Sequence, residues 1–341
     1  MPNYDVTTEQ VVALFRQTTT LGVIRDFLKS KGLPSSANSW SDLENLRLKP
    51  LVEKNRITND ELVEFLRVAE ESGKQHVFLY KCNPADAVAF MDRARAKEIL
   101  EAKELGGLLD APDVFAAPEA GPQIVDIRWD DVDGVDQVMT VKEIERRTHY
   151  RFSHEEPYGD NFFHRVFEKN FERSVNVFKL HRGGFAEVRI SSLSTDSAYQ
   201  NEISRFWKVI DQLIPREKFG EISLRAAKAK IWNDRAELAE TIRYSDATVC
   251  DGSGAKLKAA TGAAKSDLID SKAVSDSLDY VLENDNKSYC DAHNVWFKAS
   301  DGLPDDIRVY IGGEPNEFAI PTNCSAEDYQ YVLRQIRFLN S

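Results

Sequence analysis

The sequence predicts an α+β protein: a small N-terminal helical bundle, then a mixed, mainly antiparallel sheet domain with packed helices. Three observations predict it. Helix start and stop signals recur at short intervals through roughly the first 75 residues, and a Gly- and Pro-rich stretch at 106–122 interrupts the pattern. Beyond that stretch, short β-type runs alternate with segments of helical period. We therefore divide the chain into an N-terminal helical interaction module (1–105), a linker (106–122) and an α+β binding domain (123–341).

Each element has a local reason. Thr7-Thr8-Glu9-Gln10 makes a capping box ahead of Val11, Val12, Leu14 and Phe15, and Thr58-Asn59-Asp60-Glu61 makes another ahead of Leu62, Phe65 and Leu66. Gly32 and Gly73 fit the stops of the helices carrying Ile24, Phe27 and Leu28 and carrying Leu62 to Ala69. Ser39 to Asn55 reads as a further helix that Pro50 kinks or divides. His76 to Tyr80 is a β-type run, and Pro84 to Glu104 returns to helix. In the second domain, Ile124 to Trp129 and Gln137 to Val141 read as strands, and Asn161 to Arg173 as a helix capped by Asp160. Val175 to Ile190 reads as a hairpin closed by Gly183-Gly184. Helices are expected from Tyr199 to Leu213, from Ser223 to Ile242 and around Val274, Leu278 and Val281, with a second hairpin from Val249 to Thr261. Strands at 294–298, 307–311 and 317–320 precede a closing helix capped by Ser325.

Composition bounds the function. The net charge of −12 repels polyanions, so contact with one requires a segregated basic patch. No run approaches the roughly 18 apolar residues of a membrane span, and Met1-Pro2-Asn3-Tyr4-Asp5 lacks the basic and apolar regions of an export signal. The expectation is a cytoplasmic protein without a membrane partner. Four scattered cysteines (Cys82, Cys250, Cys290, Cys324) suit free thiols rather than a disulfide framework.

Motifs that would carry chemistry fail on spacing. Gly262-Ala263-Ala264-Lys265-Ser266 lacks the adjacent Gly-Lys of a phosphate loop. The acidic run Asp126, Asp130, Asp131, Asp133 and Asp136 puts Trp129 and Thr140 where a calcium loop needs its first and last ligands. Cys290-x-x-His293 is half of a zinc site with no second pair following. Asp160 with Glu187-Val188-Arg189 has the outline of a Mg²⁺-dependent nuclease, with arginine where a lysine would activate water. The sequence points away from an enzyme, and no catalytic residue, metal or cofactor is assigned.

Two features point to a binding protein. Phe27-Leu28-Lys29-Ser30-Lys31-Gly32-Leu33-Pro34 and the helix after it resemble the SAP motif, a short DNA-binding helix–turn–helix. The chain departs from that motif in its long 35–41 turn without Gly-Lys; the resemblance covers about 30 residues and implies DNA contact there. The second feature is a basic island: residues 146–189 hold nine Lys/Arg against six Asp/Glu, a net +3, which leaves −15 for the rest. On a 161–173 helix, Phe163, Phe167 and Phe171 would face the core, and Arg165, Lys169 and Arg173 would form a basic stripe. In the hairpin, a two-residue turn would pair Arg182 with Phe185 and Phe178 with Arg189, exposing two arginines beside two phenylalanines. The scattered histidines carry no metal spacing.

The leading expectation is a non-enzymatic protein that grips an anionic partner, DNA or RNA first, through Arg165, Lys169, Arg173, Phe178, Arg182, Phe185 and Arg189. The alternatives are a protein–protein adaptor or oligomeric scaffold, with residues 1–75 as a protein-binding module, and the Mg²⁺-dependent nuclease.

Overall fold

The structure, a computed structural model, describes all residues except 1–3, 5, 110, 120, 133, 159–161, 194–198 and 264. Asp160, Asn161, Asp133 and Ala264, on which several expectations rest, lie outside the described residues.

The N-terminal helices are α1 (Thr8–Thr18), α2 (Leu21–Ser30), α3 (40–53) and α4 (Asn59–Ala69). Both capping boxes form: Thr7 N–H donates to Gln10 Oε1 at 2.8 Å and Thr58 N–H to Glu61 Oε2 at 2.9 Å. Pro50, without an N–H to give, sits where α3 returns from a π-wound turn (Leu43–Leu48) to α winding. The four helices bury Val11, Phe15, Ile24, Leu28, Leu43, Leu62 and Leu66 in a core of their own. Each such side chain contributes about 1.5–3 kcal/mol by leaving water.

The remainder is an α+β body around one eleven-stranded antiparallel sheet. Its strands are β1 (Gly73–Lys81), β2 (Gln123–Val132), β3 (Val135–Tyr158), β4 (Phe162–His181), β5 (Phe185–Ser191), β6 (Gly220–Glu221), β7 (Ile242–Cys250), β8 (Lys256–Ala260), β9 (Tyr289–Phe297), β10 (Ile307–Ile311) and β11 (Glu317–Asn323). The spatial order is β2-β3-β4-β5-β1-β11-β10-β9-β7-β8, with β6 alongside β1. Residues 73–101, expected in the N-terminal module, belong to this body, because β1 pairs with β5 on one side and β11 on the other. Gly73 starts that strand rather than stopping a helix. At φ +78° it lets the backbones close so tightly that a Cβ would fall 2.5 Å from Cys324 N and Thr322 O.

β1 serves two cores because its side chains alternate. Phe78 and Tyr80 face α5 (Pro84–Phe90), α6 (Arg93–Glu101) and α7 (Tyr199–Ile210). Val77 and Leu79 face α8 (Arg225–Asn233), α9 (Lys272–Asn284) and α10 (Ala326–Leu339). Asp92 divides the expected 84–104 helix by capping α6, accepting from Arg95 N–H at 2.8 Å. The helix expected to reach Ile242 ends at Asn233, and β7 begins at Ile242. Within the linker region, residues 106–109 form a 3₁₀ turn, and Val114 buries against the helical module.

The module docks on the sheet through buried charge. Glu71, just past α4, pairs with Arg128 (2.8 Å), Lys142 (2.9 Å) and Lys179 (3.1 Å) from three successive strands. Glu70 pairs with Arg173 (3.0 Å) and Lys142 (3.2 Å), and Arg67 with Asp126 (2.6 Å). Burial alone would raise the Glu71 pKa, but Lys142, Arg128 and Lys179 hold it well below the usual carboxylate range.

Glu71→Ala removes the anion that three cations share, leaving Lys179 without an ion-pair partner among the described residues while Lys142 keeps Glu70 and Arg128 keeps Asp126. It should cost about 3–5 kcal/mol in denaturant unfolding. The Glu71 contribution is complete above its ordinary value of 4.5 and declines as pH falls toward the lower folded value, so the loss from Glu71→Ala should shrink in acid. His293 is fully buried, its Nε2 bonded to Lys228 O at 2.8 Å, and burial pushes it from 6.5 down to about 4. Between those values the unfolded chain takes up a proton that the folded chain refuses, so stability falls as pH drops through that window. The loss is about 3 kcal/mol at most, and His293→Gln should abolish that part of the pH dependence in urea titrations at pH 7 and 4.5.

Candidate nucleic-acid interface

The segment expected as the 161–173 helix is the outer half of β4. β2 stops pairing with β3 at Ile144, and β5 pairs with β4 from Val177 to Leu180. Between Arg146–Arg173 and Tyr158–Phe162, β3 and β4 pair only with each other. They make a two-stranded ribbon roughly 40 Å long at about 3.3 Å per residue. One irregularity, between Phe152 and His154, inserts Ser153 as a bulge.

Cross-strand partners share a face, so the register sorts the ribbon. The first face carries Phe163, Arg165, Phe167, Lys169, Phe171 and Arg173 along β4, opposite Pro157, Glu155, Phe152, Tyr150, Thr148 and Arg146. The second carries Phe162, His164, Val166, Glu168, Asn170 and Glu172 opposite Tyr158, Glu156, His154, Arg151, His149 and Arg147. Lys/Arg outnumber Asp/Glu four to one on the first face and are outnumbered three to two on the second. The basic island is thus one-sided.

The rings of the first face are displayed rather than buried. Tyr150, Phe152, Phe163, Phe167 and Phe171 are 48–66% exposed. Phe152 and Phe167 meet edge to face at 5.9 Å, and the Arg146 guanidinium lies 3.7 Å from the Phe171 ring centre, with Lys169 Nζ at 5.1 Å. Arg165 pairs across the strands with Glu155 at 3.0 Å. Lys169 has no ion-pair partner among the described residues. Arg173 is the root of the ribbon: it binds Glu70 and donates to Val114 O (2.6 Å) and Ala116 O (2.7 Å).

Arg165 and Lys169 therefore lie on one open surface, with Arg173 anchored at its base. The hairpin residues do not join them. Its loop is Arg182-Gly183-Gly184, three residues rather than two, because Leu180 pairs with Ala186 and Phe178 with Val188. That one-residue shift exchanges the faces of β5. Phe178 is fully buried with Leu180, Ala186, Val188 and Ile190 under α7. Arg189, 1% exposed on the opposite face, pairs with Glu187 at 2.8 Å and stacks on Tyr329 at 3.8 Å. Phe185 is half-buried beneath Arg337 (4.3 Å), and Arg182 is half-buried and already engaged. The expected hairpin surface is thus dispersed between the interior and the turn.

The residues that reasoning from sequence missed are Arg146, Tyr150 and Phe152 on β3, together with the outward direction of Phe163, Phe167 and Phe171. A signal existed: Phe163-x-Arg165-x-Phe167-x-Lys169-x-Phe171-x-Arg173 repeats every two residues, the strand period.

The other candidate sites fall inside the fold. Glu187 is taken up by Arg189, His181 (3.0 Å) and Tyr329 OH (2.5 Å). Asp126 is held by Arg67 and Arg128, and Cys290 and His293 are buried against α8. Among the described residues no group of three or more His, Cys, Asp or Glu could hold a metal ion. None of the described helices is long and apolar enough to cross a membrane.

No family model matches this chain, and no curated protein matches it.

The exposure pattern predicts a sharp contrast in denaturant unfolding. Phe167→Ala should change stability by about 0.5 kcal/mol or less, whereas Phe178→Ala should cost about 3–5 kcal/mol.

Proposed function

We propose that this protein is a non-enzymatic binding protein whose ribbon, β3 with β4, engages nucleic acid through its first face. One observation carries the reading: exposed aromatic rings alternate with Arg165 and Lys169 every second residue on the outer half of β4, which pairs with β3 alone. Rings supply planar surface for bases and the cations meet phosphates, the pairing of groups that nucleic-acid surfaces use. The acidic body supports the assignment by contrast. With −12 overall, a polyanion is repelled everywhere except where positive charge is segregated, and the first face is such a place. Arg146, Arg165 and Lys169 extend from a root fixed by Arg173, so binding requires no rearrangement of the body.

The test is titration of a labelled oligonucleotide by fluorescence anisotropy at 50 and 200 mM salt. About three phosphate contacts should weaken binding about 20- to 40-fold across that range. Arg165→Gln/Lys169→Gln should weaken binding at low salt and flatten the salt dependence. Absent or salt-independent binding defeats the proposal. The same rings and arginines would suit an adaptor surface, and light scattering without nucleic acid reports that case as self-association that the ring variants abolish.

A further inference from the structure

We infer that the ribbon prefers single-stranded nucleic acid, with bases stacked on the ring ladder of its first face. The inference rests on the proposed function and goes beyond it by specifying the form of the ligand. Three features of the ribbon carry it.

The first is the balance of groups. Five exposed rings, Tyr150, Phe152, Phe163, Phe167 and Phe171, share the face with Arg146, Arg165 and Lys169 as the cations beyond the anchored Arg173. A phosphate-reading surface needs cations foremost; here rings outnumber them. Inside a duplex the π-face of each base is covered by its neighbours, so exposed rings have nothing to stack on. In a single strand every base offers a face. The guanidinium of Arg146, lying flat on Phe171, extends the platform, because arginine planes also stack on bases.

The second is the asymmetry of the two faces. A two-stranded ribbon that enters the major groove of a duplex lies between its two phosphate walls. The second face carries Glu156, Glu168 and Glu172 against Arg147 and Arg151. Arg147 is further committed to Glu145 (2.9 Å) and Glu202 (3.5 Å), and Glu172 to Lys74 (2.9 Å), which leaves Glu156 and Glu168 against Arg151. Placing that face against a groove wall sets carboxylates against phosphates. A single strand lying along the first face avoids it.

The third is charge density. Duplex DNA presents one negative charge per about 1.7 Å of axis, and one strand of it half that density. Few cations on a protein of net charge −12 offset the sparser polyanion more completely.

The experiment is competition, on the full chain at low salt, between an unlabelled single strand of about a dozen nucleotides and the blunt duplex of the same sequence. The single strand should compete at least ten-fold better. Phe163→Ala/Phe167→Ala/Phe171→Ala should weaken single-strand binding more than ten-fold while leaving the salt slope nearly unchanged, since its effect is on stacking. Phe167→Trp should retain affinity and show quenched emission when the strand binds. If the duplex competes equally or better, or the ring variant binds the strand as well as the parent, the single-strand assignment is overturned while nucleic-acid binding stands. If neither form binds, both readings fall. If the ring variants abolish self-association and leave oligonucleotide binding intact, the rings serve a second copy of this chain and the inference is overturned.

Discussion

The Glu71 carboxylate, held by Arg128, Lys142 and Lys179, is the contact on which the rest of the arrangement depends. Each of those cations stands on a different strand, so a single anion from the end of α4 joins the helical module to β2, β3 and β4 at once. None of these charges is tolerable alone inside the fold, because a buried ion without its partner costs several kcal/mol. The sheet face beneath the module therefore cannot be an ordinary apolar core. Its hydrophobic part is reduced to a small patch of Ala116, Val125, Ile144, Val175 and Val177.

That junction also fixes where the ribbon begins. Glu70, adjacent to Glu71, takes Arg173, and Arg173 holds the Val114 and Ala116 carbonyls. From Val177 inward, β4 is clamped between β3 and β5; outward of Arg173, β4 has β3 alone. The boundary between a rigid sheet and a free ribbon thus falls at one residue, which donates to Glu70 at the end of the module and to two carbonyls of the 106–122 segment. The direction of the ring face at its base is set by the same ion network that holds the helices.

Much of this was legible in the sequence where the cause was local. The capping boxes at Thr7 and Thr58, the strand at His76 to Tyr80 and the cap at Ser325 depend on neighbours a few residues away. The ribbon was misread because four residues is both close to one helical turn and twice the strand period. Phe163, Phe167 and Phe171 therefore satisfied either reading, and the interleaved cations, which the helix sends to a separate stripe, return to the ring face in the strand. The hairpin failed for a different reason. Two glycines invited a two-residue turn, but Gly184, at φ +87°, approaches so close to Cys82 that a Cβ would sit 2.3 Å from its carbonyl oxygen. That contact with the chain after β1 is invisible locally. It accompanies the three-residue loop that sends Phe178 and Arg189 to opposite faces.

The position of β1 has a kinetic side. It belongs to the first quarter of the chain and lies against β11 near its end, so that His76 and Glu317, hydrogen-bonded across the two strands, are 241 residues apart. Such a pairing closes a very long loop before it gains any contact, which makes it slow and late. During synthesis β1 can meet β5 well before β11 has been made, leaving its other edge unsatisfied until the last strands emerge. The middle of the sheet, its most protected region once complete, is the part that must wait longest to be covered.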